Sequence, residues 1–123
     1  MQTILLVDDD VSLVQALKRS LEARGYAVTL AHDGAEAQKR FAEKDFDVVV
    51  TDLVMPDCDG IELITELGIK APGQKVIAIS GGGKIPPDIY LKLAKNLGAV
   101  KTLQKPFSRD ELIAAIEELG QKV

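Results

Sequence analysis

The chain has 123 residues, 46% of them hydrophobic and 28% charged, which is the balance of one ordinary globular domain with a single core. Its formal net charge of −4 argues against nucleic-acid binding by this chain, which would want a basic face. No apolar run approaches the roughly 20 residues of a membrane span. "MQTILLV" has no basic segment ahead of its apolar run, and the lone Cys58 has no partner for an internal disulfide. A reducing, cytoplasmic setting is therefore expected, with no membrane association.

Apolar periodicity changes type repeatedly along the chain. "TILLV" (3–7) reads as a strand. Val14, Leu17 and Leu21 then recur at helical spacing over 11–24, and Gly25 is placed to close that helix. "YAVTLA" (26–31) is a second strand. Asp33 with Glu36 three residues on opens a second helix. "FDVVVTD" (46–52) is a third strand. Asp59 and Glu62 repeat the capping signal before the stripe Ile61, Ile64 and Leu67. "KVIAIS" (75–80) is a fourth strand. Pro86 and Pro87 suit the first turn of a fourth helix, with Ile89, Leu93 and Leu97 as its stripe and Gly98 at its end. "AVKTLQ" (99–104) is a fifth strand. Ser108 and Glu111 form an S-x-x-E box ahead of a last helix carrying Leu112, Ile116 and Leu119.

Strict alternation of strand and helix predicts an α/β fold with a doubly wound parallel sheet. The first, third and fourth strands are continuously apolar, as buried central strands are. The second and fifth carry Thr29, Lys101, Thr102 and Gln104, which suits edges. The expected order is 2-1-3-4-5, a flavodoxin-like (βα)5 arrangement. Its site lies past the carboxyl ends of the strands, where the strand order switches between the first and third.

That rim receives Asp8 and Asp9 from the first strand, Asp52 from the third, Ser80 from the fourth and Lys105 from the fifth. Two carboxylates ~4 Å apart repel by about 4 kcal/mol at an effective dielectric near 20. A divalent cation with oxygen ligands relieves this, and Mg²⁺ is the one expected. With Lys105 as a second cation, the rim suits a carboxylate that carries a phosphoryl group.

Four separated motifs, "LLVDDD", "VVVTDLVMPDCDG", "VIAIS" and "LQKPF", together resemble the receiver domain of bacterial two-component response regulators. The resemblance covers about residues 3 to 119 and implies a single receiver domain over 1–123, of the stand-alone type with no output domain. It implies that Asp52 is the phosphoacceptor and that Asp9 and Asp52 bind the metal directly. Asp8 matches an acid that often reaches the ion through water, and Val54 would offer its backbone carbonyl. Ser80 matches the hydroxyl that contacts the phosphoryl group, and Lys105 matches the family's lysine, whose bond to Pro106 is expected to be cis. Pro56 and Gly60 match the turn after the third strand.

The implied partners are a sensor histidine kinase or a histidine phosphotransfer protein, and a downstream protein. The downstream partner would bind the face made by the fourth helix, the fifth strand and the last helix. The protein would not be a dedicated enzyme, though it would assist its own phosphorylation and dephosphorylation. The alternatives are a receiver-like interaction module that is never phosphorylated and a small haloacid-dehalogenase-type phosphatase. "DDDVS" only approaches the phosphatase pattern, since Ser12 stands where Thr or Val is wanted.

The chain departs from the family pattern in three places. Thr102 occupies the usual aromatic position three before the lysine. Gly81 replaces a frequent Ala and opens "GGGKIPP". The interval from Ser80 to Lys105 exceeds the family's usual spacing by a few residues, so a mobile loop over 80–88 is expected. Asp10 reads as a helix N-cap, His32 as a solvated turn residue and Cys58 as a plain loop thiol. The glycines at 81–83 lack the G-x-x-x-x-G-K-[ST] phosphate signature.

Overall fold

Burial on both faces explains why the central strands are apolar without interruption. Every residue of β3 (Val48–Asp52) is buried, as are the last four residues of β1 (Thr3–Val7). These strands pair in parallel with each other, and β2 (Ala27–Ala31), β4 (Lys75–Ser80) and β5 (Lys101–Gln104) complete the sheet. The order is β2-β1-β3-β4-β5, as expected. Helices α1 (Val11–Ala23), α2 (Gly34–Glu43), α3 (Gly60–Lys70) and α4 (Arg109–Gly120) flank it. A computed structural model of the chain describes residues 2–53, 60–71, 73–80, 92 and 99–120. Apart from Lys92, the helix expected from Pro86 onward lies outside them, as does the loop over 81–88.

The two-residue period of the strands sorts side chains onto two cores. Ile4, Leu6, Val50 and Ile77 pack with α1 and α4 through residues such as Val14, Leu21, Leu112 and Ile116. Leu5, Val7, Val49 and Ala78 pack on the opposite face with Ala37 of α2 and with Leu63, Ile64 and Leu67 of α3. Register aligns the layers across the sheet: Leu6 lies opposite Val50, and Val50 opposite Ile77. Burying each such Leu or Ile contributes about 1.5–3 kcal/mol.

The helix ends follow the sequence signals closely. Asp10 caps α1 by accepting from the Leu13 N–H at 3.1 Å. Gly25, at φ 95°, follows that helix in a left-handed conformation that a side chain would strain. Asp33 caps α2 by accepting from the Glu36 N–H at 2.7 Å. The Glu36 carboxylate does not complete that box; it meets His32 Nδ1 at 3.2 Å, so His32 is half-exposed but paired.

At α4 the box is complete. Ser108 Oγ accepts from the Glu111 N–H at 3.1 Å, and Glu111 Oε1 accepts from the Ser108 N–H at 3.2 Å. The Ser108→Ala protein should lose roughly 1 kcal/mol of stability. Urea unfolding should show a lower midpoint with an unchanged slope.

Candidate functional site

The strand register brings the acids together. Val7 lies opposite Thr51, so the next residues on the two strands, Asp8 and Asp52, stand side by side. Both are held by ladders that run on past the strand ends. The Asp8 N–H donates to the Ala31 carbonyl at 3.1 Å, and the Leu53 N–H donates to the Ile79 carbonyl at 2.9 Å. Asp8 is 2% exposed and Asp52 6%, whereas Asp9 is open to solvent. Asp8 Oδ1 accepts from the Asp10 N–H at 2.9 Å, so the residue that caps α1 also orients the site.

Lys105 closes the cluster from the end of β5. Its ammonium donates to Asp52 Oδ2 at 3.1 Å. It also stands 3.0 Å from Asp8 Oδ2, as an ion pair without hydrogen-bond alignment. Burial pulls the ammonium's pKa down, but contact with Asp8 and the charges of Asp52 and Asp8 outweigh it and hold the pKa above the usual lysine value. Lys105 is therefore charged throughout the neutral range. The Lys105–Pro106 peptide bond is cis, as expected.

Asp8, Asp9 and Asp52 each offer an oxygen within 4.8 Å of the other two. Asp8 Oδ2 is buried and has no hydrogen-bond partner among the described residues. Three acids against one lysine leave a formal charge of −2 for an ion to balance. An all-oxygen donor set of this kind suits a hard divalent cation such as Mg²⁺ or Ca²⁺ and disfavours zinc. The residues present fit a metal.

A match to the response regulator receiver domain family runs over residues 4–117. The chain belongs to that family. Among similar proteins, this receiver is 36% identical over 115 residues to the transcriptional regulatory protein GlrR of Escherichia coli (strain K12), covering 94% of this chain and 25% of that protein. It is 34% identical over 116 residues to the response regulator MprA of Mycobacterium tuberculosis (strain ATCC 25177 / H37Ra), covering 94% of this chain and 49% of that one. The receiver thus spans about a quarter to a half of the length of these relatives. A transcriptional role belongs to the name of the first, and the acidic composition found here speaks only for this chain. Among solved structures, a receiver domain protein from Clostridium thermocellum superposes with a TM-score of 0.89 at 31% identity, covering 97% of this chain and 94% of that one. The receiver domain of the Francisella response regulator 1452 gives 0.86 at 33%, covering 97% and 96%. Membership in the receiver family decides against the phosphatase alternative.

The other expected site residues of the receiver fall in different places. Ser80 ends β4 opposite Gln104, but its side chain is not among those described. Val54, Pro56, Cys58 and Gly81 lie outside the described residues, and for Gly60 only the backbone at the start of α3 is described. Thr102, in the aromatic position, sits on β5 opposite Ala78 and is half-buried. Sequence reasoning gave no role to Leu13 or Phe107. With Pro106 and Lys105 they line an open groove of about 410 Å³ beside the cluster. Phe107 directly after the Lys-Pro pair was the available signal. Leu13 had none, because its position depends on how α1 packs. Among the described residues, no helix is long and apolar enough to cross a membrane.

Proposed function

We propose that Asp52 accepts a phosphoryl group from the phosphohistidine of a sensor histidine kinase or a histidine phosphotransfer protein. The observation that carries this reading is the placement of buried Asp52 against a charged lysine at 3.1 Å, with two further acids within 4.8 Å. A carboxylate oxygen of Asp52 attacks phosphorus. The new O–P bond forms as the P–N bond of the donor breaks, and the departing electron pair returns to the imidazole nitrogen, which takes a proton from solvent. Lys105 is already charged and turns its ammonium from the carboxylates to the arriving phosphoryl oxygens. Asp8, Asp9, Asp52 and the Val54 carbonyl would hold Mg²⁺, which neutralises charge on the transferring group when bound. Ser80 would add its hydroxyl to a phosphoryl oxygen.

The apolar lip of Leu13, Pro106 and Phe107 supports docking of a protein donor beside the cluster. In this reading the chain is a cytoplasmic signalling protein and not a dedicated enzyme. It only assists its own phosphorylation and later hydrolysis. The acyl phosphate would change the surface around β5 and α4 that a downstream partner reads.

The test is incubation with Mg²⁺ and acetyl phosphate, followed by intact-mass measurement. The expected result is a gain of one phosphoryl group that does not occur when the metal is chelated before the donor is added. A receiver-like module that is never phosphorylated would gain nothing, and that outcome would overturn the proposal.

A further inference from the structure

Among the described residues, strand β2 ends the sheet and has a neighbour on one side only. The Ala27 N–H donates to the Gln2 carbonyl at 2.9 Å, and the Ala31 carbonyl accepts from the Asp8 N–H at 3.1 Å. In a parallel ladder, alternate residues turn their backbone groups toward the same neighbour. Ala27, Thr29 and Ala31 therefore face β1, and Val28 and Leu30 turn their N–H and C=O groups outward.

That outward edge floors an open groove of about 430 Å³. Lys18 of α1 stands on one wall, and Arg40, Glu43 and Lys44 stand on the other, at the end of α2. Three cations against one acid reverse the sign of a chain whose net charge is −4. The existing pairs are loose: Lys18 is 3.9 Å from Glu22 and Arg40 is 3.4 Å from Glu43, all on solvent-exposed side chains. The Lys44 ammonium lies 5.1 Å above the Phe46 ring, which keeps it beside the groove. The two walls also differ in polarity. The side chains of Val28 and Leu30 belong to the apolar core beneath α1, whereas the Arg40 and Lys44 charges lie on the α2 side.

We propose that this edge docks an extended acidic segment of a partner protein, which pairs with Val28 and Leu30 as a sixth strand. Alternate side chains of an added strand point to opposite faces. Its apolar residues would continue the Val28–Leu30 surface on the α1 side, while its carboxylates face Arg40 and Lys44. The open backbone supplies the pairing, and the cations select the partner by charge.

The blocked heptapeptide TEVEVET has this pattern and serves as the probe, with TKVKVKT and an alternately N-methylated TEVEVET as comparisons. Binding is followed by NMR shifts and amide exchange of the intact chain. The acidic peptide should saturate shifts at Val28 and Leu30 and slow exchange of their amides. Its affinity should drop about tenfold or more in the Arg40→Glu/Lys44→Glu protein, whose helicity is checked by circular dichroism. The lysine and N-methylated peptides should not saturate. No saturable shift with TEVEVET would overturn the proposal. So would equal binding of the N-methylated peptide, which would mark a mere anion patch, or equal binding of the lysine peptide.

Discussion

The Asp52→Asn protein is expected to take up a phosphoryl group from acetyl phosphate and Mg²⁺ at least roughly a hundredfold more slowly than the wild type. The amide is a poor nucleophile, and the substitution also withdraws one of the three acids that converge within 4.8 Å. Lys105 keeps its ion pair with Asp8 at 3.0 Å, so the loss would be chemical and not a collapse of the site. The comparison that separates nucleophile from metal ligand is Asp9→Asn. Asp9 is exposed and makes no ion pair with Lys105 among the described residues. Its loss should weaken Mg²⁺ binding by about tenfold, while labelling is recovered at high Mg²⁺. Intact-mass time courses across a Mg²⁺ titration read both effects. If Asp52→Asn labels at the wild-type rate, the acceptor is some other residue.

The second large effect is on stability. Leu6→Ala should cost roughly 3–5 kcal/mol, a large part of the 5–15 kcal/mol that holds a typical domain together. Leu6 is 1% exposed and lies in a row with Val50 and Ile77, under α1 and α4. The close-packed strands around it cannot collapse into the space it leaves. Urea unfolding should give a much lower midpoint with the same slope. Thr29→Ala, on the half-covered edge strand, should stay within about 0.5 kcal/mol of wild type. A cost below about 1 kcal/mol for Leu6→Ala would mean that the sheet is far more plastic than its packing implies.

The identities of the described strands and helices were legible because they rest on local pattern, and the errors lie at the ends. The second strand was expected from Tyr26, but the Tyr26 N–H returns to the Leu21 carbonyl at 3.2 Å, so that residue finishes the α1 turn. The third was expected from Phe46. Its ring instead packs at 6.3 Å on Phe41, and the Asp47 N–H bonds to the Thr3 carbonyl at 2.9 Å before the strand begins. In both cases a tertiary or turn contact overrides β propensity. The half-formed box at Asp33 has the same origin, since His32 competes for the Glu36 carboxylate.

The sequence by itself determined the fold class, the strand order and the delivery of Asp8, Asp9, Asp52 and Lys105 to one rim, because burial on two faces and capping chemistry are written in neighbouring residues. Only the tertiary structure decided that Lys105 bridges Asp8 and Asp52 at 3.0 and 3.1 Å, that Asp8 Oδ2 is buried without a hydrogen bond among the described residues, and that β2 opens onto a basic groove. Those distances depend on parallel register between strands far apart in the chain and on how α1 and α2 lean over the sheet, and no local pattern encodes either.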